Sequence, residues 1–186
     1  MERCVCLIDG GYLQNVLKYF NKPEISHAKL VEIMKGDEKL LRAYYYDCPS
    51  YVSNPITREE EERQSRKDKF FSGLNKIPNF EVRKGRLEKR VHSDGKVEFI
   101  QKRVDVLIAM DIVMFSAKHL ITHIKIVTGD SDLIPPIQFA KNEGIIVELF
   151  YSDKSAHNDL VLNADIKTEI DSDFIKKIEK EKSISA

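Results

Sequence analysis

The stretch Ile124-Lys125-Ile126-Val127-Thr128-Gly129-Asp130-Ser131-Asp132 decides the fold. A short run rich in β-branched side chains reads as a buried strand, and Gly-Asp-Ser-Asp ends it in a turn. Two further runs have the same character, Cys4 to Ile8 and Ile145 to Tyr151. Leu40 to Cys48, with Tyr44, Tyr45 and Tyr46, and Phe80 to Arg86 are two more strand candidates. Strands buried on both faces are the signature of a parallel sheet covered by helices.

The intervening segments carry helix spacing. Leu13, Val16, Leu17 and Phe20 repeat at that period. Thr57 to Leu74 opens on four consecutive glutamates, Glu59 to Glu62, and Thr57 with Glu60 has the spacing of a capping box. Val104 to Lys118 is apolar on nearly every side and reads as a helix packed deep in the structure, with Met110 and Met114 as packing residues. Ile134 to Asn142 takes Pro135 and Pro136 in its first turn and stops at Gly144. Alternating strands and helices predict a single α/β domain with a mainly parallel sheet. Lys89 to Gln101 is polar, with Ser93-Asp94-Gly95-Lys96 as a hairpin or loop tip.

The composition fits that picture. The chain has 186 residues, enough for one domain with a full core. Thirty basic and thirty acidic residues give a net charge of zero, which excludes a globally basic nucleic-acid binder but not a local basic patch. Three cysteines do not make a disulfide scaffold and suit a reducing compartment. Cys4 and Cys6 share one face of a strand and read as core. No window approaches the ~18 apolar residues of a membrane span, so a cytoplasmic protein is expected. His119 and His123 are four apart, but the second leads into a strand; both read as surface or loop residues.

In an open parallel sheet, function gathers at the carboxyl ends of the strands. Asp9 ends the first run, and Asp130 and Asp132 follow the Ile124 run. Asp105 opens the apolar helix. Carboxylates that converge repel one another and need a cation. Hard oxygen donors suit Mg²⁺ or Mn²⁺, ions that activate water for displacement at phosphorus. Gly10, Gly11 and Gly129 allow sharp turns or a close approach of substrate. Each acid taken singly also reads as a turn former or helix N-cap.

Three motifs in order resemble the NYN domain family of the PIN-like nuclease superfamily, which includes the bacterial LabA-like proteins. They are Ile8-Asp9-Gly10-Gly11-Tyr12-Leu13, Gln101-Lys102-Arg103-Val104-Asp105-Val106 and Val127-Thr128-Gly129-Asp130-Ser131-Asp132-Leu133. Phe80 to Leu87, Ala140 to Leu149 and Leu160 to Asp165 are similar to further family segments, so the resemblance spans roughly residues 3 to 170. It implies a three-layer PIN-like, Rossmannoid fold over residues 1–170. Residues 171–186 would be a charged C-terminal tail or short helix.

The resemblance further implies a metal-dependent ribonuclease. Asp9, Asp105, Asp130 and Asp132 would be its catalytic and Mg²⁺- or Mn²⁺-holding residues. Thr128 and Ser131 would orient the carboxylates. Asp111 matches a commonly acidic position but lies six residues beyond Asp105, about 120° around the helix, which gives it a supporting role. Two positions depart from the family pattern: Tyr12 stands where asparagine is frequent, and Arg103 where glycine is frequent.

The substrate expectation is RNA, single-stranded or structured. Arg83, Lys84, Arg86, Lys89, Arg90, Lys102 and Arg103 lie in one segment, and with Lys96 they outnumber its acids by five. Such a segment beside an acidic pocket could hold a phosphate backbone. Tyr44 to Tyr46 alternate across a strand, one face core and the other a candidate for base stacking. The alternatives are a non-catalytic RNA-binding module and a phosphatase. Against the second, Asp9 is followed by Gly10 and Gly11, not by the Asp-x-Asp of aspartyl-phosphate enzymes. The odd cysteine and exposed edge strands are compatible with a homodimer.

Overall fold

The computed structural model describes residues 2–180. Its elements run β1 (Arg3–Asp9), α1 (Gly10–Lys18), α2 (His27–Lys35), β2 (Lys39–Asp47), α3 (Arg58–Leu74), β3 (Phe80–Lys84), β4 (Arg86–Val91), β5 (Val97–Lys102), α4 (Val104–Ala117), β6 (His123–Val127), α5 (Ile134–Asn142), β7 (Ile146–Tyr151), α6 (Asn158–Asn163), β8 (Ile166–Glu169) and α7 (Ser172–Ile178). Six strands form one sheet in the order β3-β2-β1-β6-β7-β8, and every pair in it is parallel. The remaining two, β4 and β5, pair antiparallel as a separate hairpin.

Alternating side chains of each strand feed two cores. Cys4, Cys6 and Ile8 point to one face, where they pack against Leu13 and Val16 of α1, Leu30 and Met34 of α2 and Phe174 and Ile178 of α7. Val5 and Leu7 point to the other, against Ile108 and Ile112 of α4, Ile137 of α5 and Leu160 of α6. The result is a three-layer helix–sheet–helix sandwich, as the strand pattern predicts. Residues 181–186 of the charged terminal segment lie outside the described residues. Among the described residues no helix is long and apolar enough to cross a membrane.

The capping box forms as expected: Thr57 accepts from the Glu60 backbone, and the Glu60 carboxylate accepts from the Thr57 backbone. Three expectations fail. The apolar α4 is not buried all round: Val104, Ile108, Ile112 and Phe115 face the core, while Val106 and Met110 are 60% and 62% exposed. Met110 is therefore not a packing residue. Tyr44, Tyr45 and Tyr46 are all buried, since both faces of β2 are covered, so none offers a stacking surface. His123 is not a surface or loop residue but a buried one opening β6, 3.6 Å from Glu38.

Candidate functional site

The strand order places the first strand at the turning point of the topology. Chain order runs one way from β1 through β2 to β3 and the other way through β6 to β8. The crossovers on either side of β1 leave in opposite directions, and a crevice opens at the carboxyl ends between β1 and β6. Register does the rest: Asp9 lies opposite Tyr46, and Ile8 opposite Val127. Asp9, Asp47 and Thr128 thus leave the sheet at one level. An open cleft of about 620 Å³ lies there, lined by Asp9, Gly10, Gly11, Tyr12, Asp130 and Gly129, with Gln101, Lys67, Asn15 and His157 around them.

Asp9 and Asp130 also perform the ordinary structural role. Asp9 caps α1, accepting from the Tyr12 backbone at 3.0 Å. Asp130 accepts from the Asp132 backbone at 2.9 Å and caps a short 3₁₀ turn, Ser131–Leu133. Thr128, fully buried, accepts from the Asp130 backbone at 3.2 Å and so fixes the turn that presents Asp130. Capping does not explain the electrostatics. Burial pushes the Asp9 carboxyl up to about 6, and the charges of Asp105 and Asp130 push the same way. Asp105 is also raised, by burial first and then by Asp130 and Asp132. The structure thus brings Asp9 and Asp130 into the cleft, with Asp105 and Asp132 near enough to be felt. None of the four has an ion-pair partner among the described residues.

Close packing explains two of the glycines and one of the departures. A Cβ on Gly10 would come within 2.5 Å of the buried Tyr45 ring, and one on Gly129 would overlap the ring of Tyr12. The Tyr12 hydroxyl accepts from the Ser152 backbone at 2.9 Å, tying α1 to the loop after β7. Where the related pattern has a small amide, this chain has a ring that braces the Gly129 turn. Arg103, the other departure, takes φ +75°, the left-handed conformation that glycine adopts without penalty.

The other expected residues lie apart from the cleft. Asp111 is buried, accepts from the Tyr46 hydroxyl at 2.6 Å and pairs with Arg83 at 2.9 Å. That Arg83 guanidinium also sits 4.5 Å from the Tyr44 ring centroid. Lys84 lies over the Phe71 ring, Arg86 pairs with Glu88 at 3.7 Å, and Lys89 lies over Tyr51. Ser131 is half-buried in the 3₁₀ turn. Arg90, Lys102 and Arg103 are exposed and carry no ion pair among the described residues.

Sequence reasoning missed Asp47 and Lys67. Asp47 is buried at the end of β2, its Oδ1 accepts from the Cys48 backbone at 2.7 Å, and its Oδ2 binds the Lys67 ammonium in the cleft wall. The rule that singled out Asp9, an acid ending a parallel strand, applies equally to Asp47. Lys67 left no signal, being one lysine in a charged helix.

The donor chemistry of the cleft fits a hard divalent cation. Its carboxylates are oxygen donors carrying unmatched negative charge in a half-buried place. Among the described residues, no three His, Cys, Asp or Glu side chains converge closely enough to form a cage. Mg²⁺ is commonly held by one or two carboxylates with water and substrate phosphate completing its shell, and needs no such cage.

The NYN domain model matches residues 3–173. A crystal structure of a Vibrio parahaemolyticus protein, described as of unknown function, superimposes with a TM-score of 0.67 over 92% of this chain and 94% of that one, at 16% identity. At that identity the likeness is one of fold. A search of curated proteins finds no match.

Proposed function

The chain belongs to the NYN domain family, generally nucleases of the PIN-like superfamily, and from that premise we propose that it is a metal-dependent ribonuclease. The observation that carries the proposal is the cleft at the β1–β6 switch point, which the unpaired carboxylates of Asp9 and Asp130 both line, with Asp105 near enough to raise Asp9. We assign Asp9 and Asp130 as direct holders of one Mg²⁺ or Mn²⁺ ion, with Asp105 and Asp132 completing the negative field around it. When bound, the ion lowers the pKa of a water and offsets charge developing on the phosphate.

The remaining roles belong to the chain. Thr128 holds the backbone turn behind Asp130, and Tyr12 braces the same turn from the α1 side. Lys67, already on Asp47, presents positive charge at the cleft wall to an entering phosphate. Lys102 and Arg103 have no acidic partner to displace and serve as backbone contacts, with Arg90 further along the hairpin. Arg83 and Asp111 form a buried tie that sets β3 against α4.

A second reading, an RNA-binding module without catalysis, is favoured by Tyr12, whose hydroxyl is committed to Ser152. The test is cleavage of labelled single-stranded RNA in Mn²⁺, in Mg²⁺ and in EDTA, with wild type and Asp130→Asn. Cutting that needs the metal and drops about 100-fold or more in the variant supports the nuclease. Binding without cutting transfers the assignment to the second reading.

A further inference from the structure

The acidic cleft has a neighbour across Lys67. A second hollow, of about 240 Å³, shares Asp47, Lys67 and Gln101 with it and runs between α3 and the β4–β5 hairpin. Its far wall is aromatic. The rings of Tyr51 and Phe99 lie 5.3 Å apart, and the Lys89 ammonium sits 5.7 Å from the Tyr51 centroid. Phe99 keeps 49% of its surface exposed, on a hairpin whose Val91 and Val97 at the turn end are also exposed. Arg63 on α3 lines the same hollow with no ion pair among the described residues.

We infer that this hollow is a base-binding subsite in which the nucleotide next to the cleft phosphate stacks its base on Phe99. The inference rests on the nuclease reading of the cleft and names the form of its substrate, single-stranded RNA. Three observations and one property of duplexes support it. The hollow adjoins the cleft, with Asp47, Lys67 and Gln101 lining both, so neighbouring nucleotides of one chain can reach the two. Its volume is below the roughly 300–1,000 Å³ that encloses a whole small ligand, which suits one flat heterocycle. An aromatic ring left half in water beside Arg63, Lys67 and Lys89 is the combination that binds single strands: a face for the base and cations for the phosphates. A duplex keeps its bases stacked inside and cannot offer one to this wall.

The test is binding of single-stranded RNA, followed by fluorescence anisotropy in Ca²⁺, with a parallel series of oligonucleotides carrying one abasic ribose at successive positions. Phe99→Leu keeps an apolar contact for the hairpin and removes the stacking face; about tenfold weaker binding is expected. Phe99→Trp should bind as wild type does. One abasic position should cost wild type about the same factor and cost Phe99→Leu nothing further. The subsite is overturned if no abasic position matters, if Phe99→Leu binds as wild type, if wild type binds no single strand, or if duplex RNA binds as tightly. The abasic series leaves the protein unaltered, so a loosened hairpin cannot imitate the coupling. Coupling at Phe99 in a protein that never cuts RNA leaves the subsite and removes the nuclease. Metal-dependent cutting without coupling does the reverse.

Discussion

The same sheet gathers carboxylates in two places and treats them oppositely. Towards the amino ends, Lys125 of β6 lies between Glu38 and Glu148 at 2.9 and 2.7 Å, with Thr168 donating to Glu148 at 2.8 Å. Burial alone would lower the Lys125 ammonium, but its two carboxylate bonds leave it raised, and Glu38 is held below its usual range despite its own burial. At the carboxyl ends Lys67 takes up Asp47, but Asp9, Asp105 and Asp130 have no ion-pair partner among the described residues, and Asp9 and Asp105 are both shifted upward. Matched charge holds the fold together. Unmatched charge costs stability, and such costs collect where a ligand is to be held.

The largest expected effect breaks the matched cluster. Lys125→Met leaves Glu38 and Glu148 facing an apolar chain, and denaturant unfolding at pH 7 should fall by about 4 kcal/mol. A loss under about 1 kcal/mol would mean that water already solvates that cluster.

His27 sharpens the comparison, being buried and unmatched but neutral. Its Nε2 has no partner, and burial with nearby Lys180 lowers the ring to about 4. The unfolded chain takes up the proton first as pH falls. Stability is therefore full above about 6.5 and is lost as pH drops through the window towards about 4, by roughly 3 kcal/mol in all. His27→Gln should flatten that part of the pH–stability curve, and an unchanged slope would remove His27 as its source.

The smallest effect has the opposite sign. Asp9→Asn keeps the α1 cap and removes the charge whose carboxyl is pushed up to about 6. At pH 7, above that value, the penalty on the ionised form is almost fully present, so the variant should gain up to about 3 kcal/mol on unfolding while losing cleavage. A destabilised variant would show that Asp9 belongs with the matched class.

The fold was legible because β1, β6 and β7 are short β-branched runs closed by turn residues, and burial on both faces demands such runs. Where demand was weaker, so was the signal. The edge strand β8 reads Ile-Lys-Thr-Glu, and α2 is nine residues with only Leu30, Val31 and Met34 as apolar anchors of its buried face. The uniformly apolar α4 misled, since periodicity is what marks a buried face and this helix has none. At the site, Asp9 and Asp130 were visible from their places after strands. Asp47 needed the same rule extended to a third strand. The Phe99 wall is a tertiary product of a hairpin and a loop, and no local pattern announces it.

The most direct test of the contrast between the two clusters is calorimetric titration with Mn²⁺. Wild type should bind the ion, about tenfold or more tightly than Asp130→Asn and as tightly as Glu148→Gln. No binding by wild type, or binding indifferent to Asp130, would contradict it.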